Sequence, residues 1–130
     1  DLAQVSDILD GRPDSLGVYA GDDEFAFPIL ALGGDGAVSV VSNALPRAFG
    51  RMVRAGLQGR LKEARRRHFR LLEAMRATFV ETNPIPIKAV LAEMGRIEPT
   101  LRLPLTPLSP EHREEVIHAF DAVLERSDTP

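Results

Sequence analysis

The chain has 130 residues, with 16 Lys and Arg against 19 Asp and Glu, and this net charge of −3 argues against a generally nucleic-acid-seeking or membrane-seeking protein. With no Cys, a disulfide framework, a thiolate zinc site and a Cys nucleophile are excluded, and a reducing cytosol fits. No apolar run approaches the roughly 20 residues that span a bilayer, and the opening DLAQVSDILDG lacks the basic and apolar regions of a signal peptide.

The first predicted element is a short amphipathic helix over 2–10, with Leu2, Val5, Ile8 and Leu9 on one face and Gly11 as its stop. It starts almost at the first residue, and no initiator Met precedes it, so the chain reads as a piece of a longer one. Residues 11–15, GRPDS, are a turn cluster. The organising stretch follows at 17–43, GVYAGDDEFAFPILALGGDGAVSVVSN. It reads as a strand at about 16–20, a helix capped by Asp22 or Asp23 and bent at Pro28, a Gly-rich turn at 33–36, and a second strand near 37–42. Such a unit carries two parallel strands joined by a crossover. The second strand is almost free of polar residues, which predicts burial on both faces.

Pro46 opens a helix to about Leu57, and Gly59 separates it from a longer helix over 60–80. There Leu61, Ala64, His68, Leu72, Met75 and Phe79 form one stripe, opposite Arg60, Lys62, Arg65, Arg66, Arg67 and Arg70. A further helix fits 84–94, with Asn83 as cap, Pro84 in the first turn, Ile87, Val90, Leu91 and Met94 inward, and Gly95 as stop. The segment 96–108 is Pro-interrupted and extended. The last helix runs from about Pro110 to Glu125, with Ser109 as cap, Glu111 at its positive end, and Val116, Ile117, Phe120, Val123 and Leu124 inward. The tail at 127–130 is expected to fray. Two parallel strands do not make a stable sheet alone. Either the chain oligomerises to complete one, or further strands lie in sequence outside it.

Several stretches invite a chemical reading. The turn GGDG at 33–36 lies after a helix and before a strand, the reverse of a phosphate loop, so it reads as a tight αβ turn. Asp22 and Asp23 directly follow a strand, at the edge that carries active sites in barrels, so they contact substrate or cap the helix. Gly21 before them marks an unusual backbone angle or a close approach to a ligand. The run ARRRHFR at 64–70 has no companion run and no aromatic platform, and reads as a solvated or subunit-facing surface. His68, His112 and His118 lack metal-ligand spacing. His68, on the apolar stripe, reads as a hydrogen-bonded residue at the core edge. Schiff-base chemistry needs a Lys in a pocket. Lys62 sits among arginines on an exposed face, and nothing near Lys88 suggests a pocket of its own.

Two stretches are more specific. GDDEFAFPILALGGDGAVSVVSN resembles the seventh and eighth strand region of the dihydrodipicolinate synthase family, and ETNPIPIKAVLAEMG with LRLPLTPLS, at 81–95 and 101–109, resembles its C-terminal segment. The resemblance runs in order to about residue 124. It implies an α/β chain, itself mostly α: the last two strands of a (β/α)8 TIM barrel in residues 1–45, then the last barrel helix and a C-terminal helical domain in 46–126.

The implied activity is that of a Schiff-base lyase of lysine and diaminopimelate biosynthesis. It condenses pyruvate, held on a barrel Lys, with aspartate semialdehyde to form 4-hydroxy-tetrahydrodipicolinate. The resemblance implies a cytoplasmic homotetramer with no cofactor, no metal, no nucleic-acid partner and no membrane partner. The family's Schiff-base Lys, catalytic Tyr, Thr pair and carboxylate-binding Arg lie upstream of the matched segment, so no catalytic residue is expected in this chain. Val38, in GAVSV, matches a position lining the pyruvate pocket, and Gly21 and Asp22 match the pocket mouth. The alternatives are another pyruvate-dependent aldolase of the same superfamily and a non-catalytic oligomerisation module.

Overall fold

The computed structural model describes residues 1–125; the tail at 127–130 lies outside them, as does position 126. In chain order the elements are α1 (Leu2–Gly11), β1 (Tyr19–Ala20), α2 (Asp23–Ala31), β2 (Gly36–Ala37), a 3-10 turn (Val41–Asn43), α3 (Pro46–Leu57), α4 (Leu61–Ala77), α5 (Ile85–Glu93) and α6 (Pro110–Glu125). The strands are parallel, with Tyr19 opposite Gly36 and Ala20 opposite Ala37. Among the described residues each strand has one neighbour, and no helix is long and apolar enough to cross a membrane.

The core is built between helices. α3 packs along α4, and α2 lies across both; α4 also meets α6, which packs on α5. Met52, Leu71, Met75, Val116 and Phe120 are fully buried in one cluster with Val41, Phe49 and Val90. Burying a side chain of that size contributes about 1.5–3 kcal/mol, so this cluster, rather than two short strands, dominates stability.

Local signals explain most boundaries. Asp1 caps α1 through the amides of Ala3 and Gln4. Asp22 caps α2 by accepting from Glu24 N at 2.9 Å. Gly33 ends α2 at φ +100°, with Gly33 N on Leu30 O and Gly34 N on Ile29 O, a Schellman stop. GGDG is therefore an αβ turn in which the helix end consumes the glycine amides. Gly34 has a second reason to be Gly: a Cβ there would meet Ile29 Cγ2 at 2.5 Å and Ile29 O at 2.9 Å. Gly95 closes α5 in the same way, with Arg96 N on Leu91 O.

Other expectations are corrected. Gly11 lies inside α1, and Arg12 is the cap. Both strands are two residues long. Residues 41–43 form a 3-10 turn instead of prolonging β2, because the amides of Val40 and Val41 bond the Asp23 carboxylate and Ser42 N bonds Ser39 Oγ. Nor are both sheet faces covered, since Tyr19 and Val38 are 60% and 72% exposed. α4 ends at Ala77, where buried Thr78 Oγ1 bonds Met75 O, which leaves Phe79 outside the helix and half exposed. Leu61 is also exposed, and Leu71 takes a core place instead. Asn83 does not cap α5; Pro84 occupies the cap position without a side-chain bond, after a cis Asn83–Pro84 peptide. Ser109 Oγ turns to Glu81 Oε1 at 2.7 Å. Leu124 is partly exposed, while Val116, Phe120 and Val123 are buried as their spacing predicts.

Candidate functional site

The two ends of the strand pair are built differently. At the N-terminal end, Asp35 Oδ2 accepts from Val18 N at 2.8 Å and from Arg12 Nη1, while Asp35 N bonds Val18 O at 2.8 Å. Arg12 also reaches Leu16 O and Gly33 O, both at 3.1 Å. One guanidinium thus joins the end of α1, the approach to β1 and the turn before β2. The Arg12 hydrogen bond, helped by the Val18 amide, holds the Asp35 carboxyl below its ordinary value. Sequence reading missed this latch. Its only signal was a charged residue in each of two turn clusters, and no local rule pairs them.

At the C-terminal end, Val38 N bonds Ala20 O at 2.8 Å, so the parallel register continues to set Gly21 beside Val38. Gly21, Asp22 and Val38 therefore lie at one end of the strand pair. Gly21 is exposed, with open space where a Cβ would project, and the Val38 side chain is mostly exposed. Asp22 is committed to helix capping, which leaves its exposed position but occupies one carboxylate oxygen. Asp23 is the opposite case. It is 1% exposed, and its Oδ2 accepts from Val41 N at 2.8 Å and Val40 N at 3.2 Å. The adjacent acids thus do different work.

The remaining candidates lie elsewhere. His68 is buried at the core edge but packs between the rings of Phe27 and Phe69, with centroids at 5.6 and 5.3 Å. Among the described residues its buried Nδ1 has no hydrogen-bond partner, contrary to the expectation of one. Burial lowers its pKa, so the ring behaves as an aromatic filler. His112 Nδ1 lies 2.8 Å from Glu81 Oε1 and 3.2 Å from Ser109 Oγ. This is no nucleophilic triad: Ser109 Oγ also faces Glu81 Oε1, so carboxylate and hydroxyl converge on one ring nitrogen. His112 is raised and Glu81 lowered by their mutual pairing, with Ser109 the largest influence on Glu81. The trio joins the segment after α4 to the start of α6.

Lys62 is exposed, as expected. Lys88 lines a groove of about 260 Å³ with Ile85, Ala92, Leu101 and Arg113, contrary to the expectation of no pocket. Its Nζ donates to Thr100 O, and Arg113 pairs with Glu93, so both cations of that wall already have partners. In the basic run, Arg67 pairs with Glu63, while Arg65 and Arg66 are exposed. Among the described residues no group of three or more His, Asp or Glu is arranged to hold a metal ion.

A pair of parallel strands joined through a helix is the repeating unit of α/β folds. The chain is a member of the dihydrodipicolinate synthetase family, whose model matches residues 1–123. It is 55% identical over 127 residues to the 4-hydroxy-tetrahydrodipicolinate synthase of Salinibacter ruber, covering 96% of this chain and 42% of that protein. The synthase of Methylacidiphilum fumariolicum SolV superposes with a TM-score of 0.93 at 36% identity, over 97% of this chain and 42% of that one. The chloride-inhibited dihydrodipicolinate synthase of Acinetobacter baumannii, solved with pyruvate, superposes with a TM-score of 0.91 at 33% identity, over 95% and 42% of the two chains. The chain thus spans about two fifths of the length of the relatives it matches.

Proposed function

We propose that this chain is the C-terminal portion of a 4-hydroxy-tetrahydrodipicolinate synthase: the final two strands of a (β/α)8 barrel and the helical tail beyond them. The observation that carries this reading is the register that sets Gly21 beside Val38 at the C-terminal edge of two parallel strands. Active sites of such barrels lie at that edge. The single neighbour of each strand and the exposed faces of Tyr19 and Val38 fit a sheet completed by strands from the rest of the enzyme. In the complete cytoplasmic enzyme, a homotetramer, Val38 forms part of the pyruvate pocket wall. Gly21 and Asp22 border its mouth, where aspartate semialdehyde enters.

The carbon–carbon bond forms on a pyruvate Schiff base carried by a Lys upstream of this segment. The segment alone is therefore inactive. Lys88 donates to Thr100 O and Lys62 stands exposed, and they lie on α5 and α4 rather than on the strand pair. The test is to incubate the 130-residue chain with pyruvate and borohydride and weigh it. An unchanged mass is expected; a stable pyruvyl adduct on Lys62 or Lys88 would overturn the reading. An intact native mass far above the 14.2 kDa of this chain is expected as well.

A further inference from the structure

Asp23 lies one residue beyond the pocket-mouth pair and is almost wholly buried. A buried carboxylate is costly unless its oxygens are bonded, and among the described residues no ion pair reaches it. Its support is backbone. It occupies the first turn of α2, where the helix dipole favours negative charge; its Oδ2 takes the amides of Val40 and Val41, while its buried Oδ1 has no hydrogen-bond partner among the described residues. Those amides open the 3-10 turn at Val41–Asn43, whose cap position, Val40, has no side-chain cap of its own. Asp22 therefore caps the helix it precedes, while Asp23 caps a turn 18 residues away in sequence.

This second cap has a geometric consequence. Val38 N is fixed to Ala20 O on one side, and two residues later the chain is fixed to Asp23. Only Val38 and Ser39 lie between the anchors. Val38 makes little packing of its own, since its side chain is mostly exposed, so its direction depends on the two ends that hold it. We propose that Asp23 is a positioning residue: its carboxylate, acting through the Val40 and Val41 amides, holds Val38 where it forms the wall of a pocket for a small 2-oxo acid. This rests on the functional reading above for the identity of the pocket.

The test has two arms. In a full-length synthase carrying this segment, amide hydrogen exchange is followed in wild type, Asp23→Asn and Asp23→Ala. Loss of a bond to a charged acceptor predicts exchange at Val40 and Val41 faster by about tenfold or more in Asp23→Ala, with Asp23→Asn, which keeps an acceptor oxygen, in between. Protection unchanged in Asp23→Ala would overturn the clamp. In a full-length synthase carrying this segment, Asp23→Ala is expected to raise KM for pyruvate about tenfold, with kcat changed less than about threefold. Asp23→Asn should recover most of that loss, and Val38→Ala should add little on top of Asp23→Ala. A fall in active enzyme with KM unchanged would show a merely structural role and overturn the proposal. Absence of pyruvate turnover by the wild type would overturn the functional reading and the positioning role with it, while the exchange arm would still judge the clamp.

Discussion

The two ends of one strand pair are built on opposite plans. The N-terminal end is closed by paired polar groups: Arg12, Asp35, the Val18 amide and the carbonyls of Leu16 and Gly33. The C-terminal end presents Gly21 and an exposed Val38 that contribute little to packing. Substitutions at the closed end should cost stability, and those at the open end should spare stability and alter substrate handling.

The largest expected effect is at the closed end. Gly34→Ala places a Cβ against Ile29 Cγ2 and O and should destabilise the chain by about 1–3 kcal/mol in urea unfolding, as overpacking does. Full stability in that variant would break the comparison. Arg12→Ala should lower Tm by removing the bond that depresses Asp35. The sign follows from linkage. A carboxyl lowered in the folded state stabilises above its ordinary value of 3.8, and that contribution disappears as pH falls through the lower folded value. The Tm gap between wild type and Arg12→Ala should be full at neutral pH and close in strong acid; a gap that widens in acid would contradict the latch.

At the open end, Val38→Ala should leave the unfolding free energy of the chain within about 0.5 kcal/mol, yet raise KM for pyruvate in a full-length synthase. A large stability loss would show that Val38 serves the fold. Gly21→Ala should be the mildest for stability, because its Cβ meets open space. In the full-length enzyme its effect is expected on KM for the aldehyde substrate rather than on Tm.

The legible parts of the fold were those written in neighbouring residues. Asp22 before α2, Gly33 and Gly95 after helices, and the apolar spacing of Val116, Phe120 and Val123 act within one or two turns of themselves. The candidate edge was legible in the same sense, since a strand followed by Gly21 and Asp22 announces a strand end. The apolar run at 37–42 was misleading, because hydrophobicity records burial and not conformation. Val41 is buried beneath the helices, yet it begins a 3-10 turn.

By itself, then, the sequence determined the start and stop of α2, the stop of α5, the inward spacing of Val116, Phe120 and Val123, and the motifs that mark the family, because each depends on residues a few positions apart. Tertiary structure decided the rest. Arg12 meets Asp35 across 23 positions and Asp23 meets Val41 across 18, and no local propensity encodes either meeting. Only folding brought these amide and guanidinium donors to their carboxylate acceptors, because each pair is far apart in sequence. One such acid closes the strand pair at its base, and the other holds the loop at its open edge.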